Sequence, residues 1–196
     1  MAGNFKREDL RTFKTRSACV GALQTLLEKR SFRKITVFGL CDEALVSRAA
    51  FYAHFADKYD LLRQWLAEQR GAVTDRAGPY RRVETARLVQ DFLEARRVCL
   101  CNLMKELDDE TRDLLSDFCY GMVEALSRKS ADGMPAPPPR RRAALIDFCS
   151  GGLLKFLVTQ ARDNFALEDK TTIPYLCGML EALLAWDNAR EEDTRG

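Results

Sequence analysis

His54 is the only histidine in the chain, so metalloenzyme or serine–histidine hydrolase chemistry would have to run through it. No HExxH, G-x-S-x-G or phosphate-cradling glycine loop accompanies it, and no catalytic constellation is visible. The chain is therefore not expected to be an enzyme. Cys99-x-Cys101 invites a metal or redox reading. On a helix, however, residues two apart point about 200° from one another and form no ready chelate. The seven cysteines (Cys19, Cys41, Cys99, Cys101, Cys119, Cys149 and Cys177) are odd in number and spread through helical patterns. They read as reduced, buried thiols of a cytoplasmic protein rather than a disulfide framework. No metal and no cofactor are expected. What remains is a short stretch dense in hydroxyl, guanidinium, imidazole and ammonium groups: Thr36, Ser47, Arg48, Tyr52, His54 and Lys58.

The elements that must position these groups can be read from 36–62. Val37, Leu40, Cys41 and Ala44 stand at i, i+3, i+4 and i+7, one apolar face of a helix of about two turns. Thr36 is placed to cap it with its hydroxyl. Leu45-Val46 has room only for a turn, after which Ser47 can cap a second helix that Arg48 to Tyr52 continues. Asp57 caps a third, with Asp60 at the positive end of its dipole. Two short helices joined by a tight turn make a helix-turn-helix, a unit whose second helix enters the DNA major groove.

The same stretch resembles the DNA-binding region of TetR-family transcriptional regulators. The resemblance is carried by Thr36, Val37, Leu40, Ala44, Val46, Ser47, Phe51, Tyr52, His54, Phe55, Asp57, Lys58 and Leu61. With the helix upstream it spans about residues 11–66, and it fades after about residue 70. It implies that Ser47, Arg48, Ala49, Ala50 and Tyr52 belong to a recognition helix. It also implies that Thr36, His54 and Lys58 flank that helix as phosphate anchors. The chemistry agrees, since hydroxyls and helix N-termini donate to phosphate oxygens and a lysine adds charge. Arg48 is the one side chain there able to make a bidentate hydrogen bond to guanine, whereas Ala49 and Ala50 offer only methyl contacts. Part of any specificity should then come from DNA shape or from arms such as Arg33 and Lys34. Phe51 and Phe55 belong to the core.

Two positions depart from the family pattern. Ser31 and Leu45 stand where the family often has glycine. A left-handed Leu45 would cost about 1 kcal/mol or more relative to glycine, so the turn is expected to relax instead.

Elsewhere the periodicity is helical throughout and the expected fold is all-α. A first helix runs from about Leu10 to Lys29 with Cys19, Val20, Leu23, Leu26 and Leu27 as its apolar stripe, and Phe32 and Ile35 close that core. A fourth helix runs from Asp57 to about Arg70. Gly71, Gly78 and Pro79 mark a break, which divides the chain into a DNA-binding domain, 1–70, and a helical dimerisation and effector domain, 71–196. Long helices follow over about Val83–Leu107 and Asp109–Lys129. A proline-rich loop at 130–139 precedes helices over about Arg140–Arg162 and Thr171–Asn188. Gly151-Gly152 inside a helix suggests close helix approach. The resemblance implies that the last two long helices pair with their twofold mates in a dimer.

Composition supports this division. Hydrophobic residues are 46% and charged residues 31% of the chain. No apolar run approaches the roughly 18 to 20 residues of a membrane span. The first residues, with Lys6, Arg7, Glu8 and Asp9, lack the apolar stretch of a signal peptide. Residues 1–70 hold 13 Lys and Arg against 8 Asp and Glu, and the remainder 18 against 21, so a basic front is joined to an acidic back. That asymmetry suits a DNA-facing domain.

The reading is a cytoplasmic, homodimeric regulator that binds a palindromic operator in double-stranded DNA, and the resemblance implies that it represses. A small effector is expected to shift the spacing of its recognition helices. Phe92, Arg96, Cys99, Phe118, Met122 and Phe148 are the residues expected around that effector, with Arg96 meeting an anionic group. Two other classes stay open. One is an activator or coactivator that works through a protein partner and binds DNA weakly, motivated by Ala49 and Ala50. The other is a helical enzyme, which loss of turnover on mutating His54 would be needed to revive.

Overall fold

The computed structural model describes residues 2–75, 82–128, 139–165 and 172–179. Every regular element among them is helical: α1 (Ala2–Lys29), a 3₁₀ turn (Phe32–Lys34), α2 (Val37–Ala44), α3 (Arg48–Tyr52), α4 (Lys58–Thr74), α5 (Arg82–Met104), α6 (Asp109–Arg128) and α7 (Pro139–Arg162). Residues 172–179 are also helical. Of the loop expected at 130–139, Pro139 instead opens α7, while 130–138 and the second half of the last expected helix lie outside the described residues. Helix α1 begins well before the apolar stripe that announced it. Between Leu10 and the stripe the helix is largely exposed, Leu10 and Phe13 included, and carries no periodic apolar signal.

The chain divides into two compact units, Met1–Glu68 with Val98–Leu114, and Gln69–Arg97 with Leu115–Gly196. The boundary falls inside α4, α5 and α6. In the first unit the core is built from Leu23 and Leu27 of α1, Phe32 and Ile35 of the 3₁₀ segment, Leu40 of α2, Phe51 of α3, and Leu61, Leu62 and Trp65 of α4, all essentially without solvent contact. The end of α1 is closed from outside its own helix. Asn102 Nδ2 donates to Leu27 O at 2.8 Å, satisfying one of the carbonyls that a helix C-terminus leaves without a partner. Ser31 Oγ donates to Glu106 Oε2 at 3.2 Å.

The two departures from glycine have different outcomes. Ser31 sits at φ −60°, a conformation open to any residue. Leu45 sits at φ 54°, ψ 41°, in the left-handed region. The expectation that the turn would relax around Leu45 is thus corrected. The reason is geometric: Leu45 N donates to Asp42 O and Val46 N to Cys41 O. Both bonds close the end of α2 and require the left-handed residue between them. Leu45 is 93% exposed, so no packing offsets the strain.

In the second unit Leu115, Phe118, Cys119, Met122, Val123 and Leu126 form one buried stripe of α6, with Leu93 of α5 and Ile146 and Leu157 of α7 also buried. Arg70 packs over Gly121, whose missing Cβ leaves the space that the guanidinium occupies. Among the described residues, Gly151 and Gly152 mark no close approach, because a Cβ on either would meet nothing there within 4 Å. The segment Arg142–Arg162 has the length and mean hydropathy, 1.2, to cross a membrane. Asp147 and Lys155 interrupt it, however, and one weakly apolar helix does not indicate a membrane protein.

Candidate functional site

The helix-turn-helix is held together by side-chain caps. Thr36 Oγ1 accepts from Gly39 N at 3.1 Å and starts α2. Ser47 Oγ accepts from Ala50 N at 3.1 Å and starts α3. At α4, Asp57 Oδ1 accepts from Tyr59 N and Asp60 N, both at 2.8 Å, while Asp60 Oδ2 accepts from Ala56 N at 3.2 Å. This reciprocal arrangement resembles a capping box, with aspartates at both ends. Helix α3 is only five residues long, so its orientation comes from packing rather than propensity. Phe51 is fully buried, its ring 5.4 Å from that of Phe55 at a tilt of 41° and edge-on at 5.5 Å from Tyr52. Arg16 of α1 lies 5.9 Å from the Phe55 ring and donates to Gln64 Oε1 at 2.9 Å. With Phe51 turned inward, α3 presents Arg48, Ala49 and Tyr52 outward, all exposed. Thr36 and Ser47 are also exposed, and Ala50 and His54 are half-buried. All eight expected DNA-facing residues thus keep some solvent access around one short helix.

The eighth, Lys58, is engaged within the fold. Its Nζ donates to Phe32 O at 3.3 Å, Arg33 O at 3.4 Å and Ile35 O at 3.2 Å, which uses all three ammonium hydrogens. The same group lies 4.6 Å from the centre of the Phe32 ring and 5.2 Å from that of Tyr59. Burial pulls its pKa below the usual lysine value, and the Asp108 carboxylate opposes that fall. Tyr59 stands edge-on to Phe32 at 5.4 Å and donates its hydroxyl to Asp108 Oδ2 at 2.8 Å. Asp108 also accepts from Thr111 N at 2.8 Å and so caps α6. Sequence reasoning missed this cluster. Its one advance signal was the Asp108-Asp109 pair before an apolar run, which announces a cap but not the tyrosine that reaches it.

The second unit holds an apolar cavity of about 260 Å³. Phe92 of α5, Phe118 and Met122 of α6, Phe148 and Phe156 of α7 and Ile173 beyond it are among its walls. The Phe92 and Phe118 rings, both in the wall, pack on one another with centroids 6.5 Å apart. Four of the six residues expected around an effector therefore line one cavity. The other two do not. Arg96 Nε donates to Gln69 Oε1 at 2.8 Å and is absent from the walls. Cys99 is buried in the first unit, with Sγ 3.8 Å from Gln24 O.

Residues 21–64, from the buried half of α1 into α4, match the model of the family described as bacterial regulatory proteins, tetR family. The chain has the fold of a TetR-family transcriptional regulator. Among solved structures, a TetR transcriptional regulator from Streptococcus agalactiae 2603V is similar at a TM-score of 0.60 and 18% identity, covering 91% of this chain and 98% of its own. A tetR-family transcriptional regulator from Streptomyces coelicolor has the same TM-score and identity, covering 91% of this chain and 84% of its own. The dihydroxyacetone kinase operon activator DhaS reaches a TM-score of 0.63 at 12% identity, covering 89% and 98%. No curated protein matches the sequence. At these identities the structural likenesses carry the fold alone.

Proposed function

We propose that the protein is a cytoplasmic, ligand-responsive repressor that binds a palindromic operator in double-stranded DNA as a homodimer. The observation that carries this reading is the pair of side-chain caps at Thr36 and Ser47. They stiffen α2 and α3 while leaving Ser47, Arg48, Ala49 and Tyr52 exposed on one short helix. Arg48 would read a guanine edge, Ala49 and Ala50 would touch thymine methyls, and Thr36, Ser47, Tyr52 and His54 would hold phosphates. Homodimerisation is supported by large apolar side chains that the single chain leaves uncovered, Phe148 at 73%, Tyr175 at 67% and Met179 at 46% exposure. The cavity of the second unit is the proposed effector site, and an effector acts by preferring one spacing of the two recognition helices.

A second reading, activation through a protein partner, is favoured by one further observation. Phe38 is 72% exposed and borders a shallow recess with Leu45 and Arg48, an apolar edge that DNA phosphates would not use. Transcription in vitro from a promoter carrying the bound site separates the two. Output falls when the protein is added if it represses. Output that rises only with a second protein present assigns the activator role.

A further inference from the structure

We propose that the cavity of the second unit takes an uncharged, apolar small molecule, a one- or two-ring aromatic or an alkyl chain of similar bulk, and rejects anions. The inference rests on the reading of this unit as the effector-holding one, and adds the chemical class. Its first ground is the wall. Among the described residues, aliphatic and aromatic side chains make up nearly all of it, and the only side-chain heteroatoms are the sulfurs of two methionines and the thiols of Cys149 and Cys177. No lining side chain among the described residues carries a charge, a hydroxyl or an amide. An ionised group pressed against such a wall loses hydration on that side and gains no partner in return, which is unfavourable. Burial also holds the Cys149 thiol above its ordinary pKa, so it adds no negative charge to the wall near neutrality.

The second ground is the arginine that would have changed this conclusion. Arg96 is the side chain expected to meet an anionic effector, and its guanidinium is instead hydrogen-bonded to Gln69 Oε1 at 2.8 Å and contributes nothing to the walls. The third is size. An apolar cavity of about 150 Å³ accommodates benzene and stays dry without it. At about 260 Å³ this one has room for a second ring. Phe92 and Phe118, whose rings pack 6.5 Å apart, add aromatic surface to the wall that suits an aromatic ligand.

The test is calorimetric titration of the full-length protein with a matched pair of probes, 2-acetylnaphthalene, which is neutral, and 2-naphthoate, its near-isosteric anion. Two variants accompany it. Gly152 lines the cavity and Gly151 does not, and a Cβ meets open space at both. Gly152→Leu therefore fills the cavity, and Gly151→Leu controls for the change in the helix. The expected result is that the ketone binds at least about 100-fold tighter than the carboxylate. Gly152→Leu then weakens the ketone at least tenfold while Gly151→Leu leaves it within twofold. Comparable or tighter binding of 2-naphthoate overturns the proposal, and so does failure of the ketone to bind. Indifference of the ketone to Gly152→Leu overturns it by placing the probe elsewhere. Ketone affinity that falls as protein concentration rises overturns it too, by assigning the cavity to a second copy of the chain. Operator affinity measured with the ketone present keeps the two readings apart: if the ketone binds as described and DNA affinity does not change, the ligand class stands and the regulatory reading fails.

Discussion

Tyr59, the second residue of α4, donates its hydroxyl to Asp108, the cap of α6, at 2.8 Å. The two residues are far apart in sequence, and the contact joins the start of one helix to the start of another within the first unit. The hydrogen bond, followed by burial and neighbouring carboxylates, pushes the Tyr59 pKa up to about 12. Burial pushes Asp108 up, but the Thr111 hydroxyl and amide, the Tyr59 hydroxyl and the Lys58 charge outweigh it and hold Asp108 below the ordinary carboxylate value.

The signs of these shifts make a prediction. Asp108 is depressed on folding, so its contribution to stability is present above its unfolded value of 3.8 and is lost as pH falls through the folded pKa. Tyr59 is raised, so its contribution is complete below about 10 and is lost as pH climbs through about 12. Thermal melts of the wild type and Asp108→Asn should differ most near neutrality and converge below about pH 4. Tyr59→Phe should cost about 1 to 2 kcal/mol at pH 7, since it removes a hydrogen bond to a charged acceptor. A constant difference down to the lowest pH at which the protein folds would remove Asp108 from this role.

Leu45→Gly should stabilise the protein. The residue sits at φ 54° with its side chain 93% exposed, so the substitution relieves backbone strain and removes little packing. The expected gain is about 1 kcal/mol, or about 2 to 4 °C in the melting temperature of a chain of this size. A loss of stability would mean that Leu45 makes a contact that the single chain does not contain.

Lys58→Met should destabilise by about 1 to 3 kcal/mol, because it strips the donor from the Phe32, Arg33 and Ile35 carbonyls while keeping most of the stem. The readout that separates this from phosphate binding is salt dependence. If Lys58 serves only the fold, the slope of log affinity against log salt is unchanged at a temperature where the variant is folded. If it neutralises a phosphate, the slope falls by about one.

Ser47→Ala should cost about 1 kcal/mol through loss of the bond to Ala50 N. It should also weaken DNA binding similarly across sequences, since a hydroxyl near phosphate carries no base information. Chemical denaturation and binding to two unrelated duplexes check the two parts separately.

How far the molecule was legible follows from the range of each interaction. The caps at Thr36, Ser47 and Asp57 were legible because cap and capped amide lie two or three residues apart, and the pattern is written in adjacent positions. The buried faces of α1, α2 and α6 were legible from periodicity. The environment of Lys58 was not, because its acceptors are main-chain carbonyls 23 to 26 residues upstream, and carbonyls have no sequence signature. The conformation of Leu45 needed the bond from Val46 N to Cys41 O, which forces a left-handed residue whatever its side chain. Arg96 was assigned from its helix face alone, and nothing local announces that Gln69, on another helix, holds it away from the cavity. Phe92, Phe118, Met122 and Phe148 fall on the wall of one cavity because apolar faces of successive helices in a small all-α unit have few places to converge other than a shared core.

The measurement that bears most directly on the account is selection of bound duplexes from a random DNA pool, run in parallel on the wild type and Arg48→Ala. The expected result is a palindromic consensus for the wild type. In the variant, preference should relax at one guanine position in each half-site, with a cost of about 1 to 3 kcal/mol at that base pair. If no consensus emerges while binding still weakens steeply with salt, autonomous site-specific regulation is contradicted, and the exposed edge at Phe38 and Leu45 becomes the place to look for a protein partner.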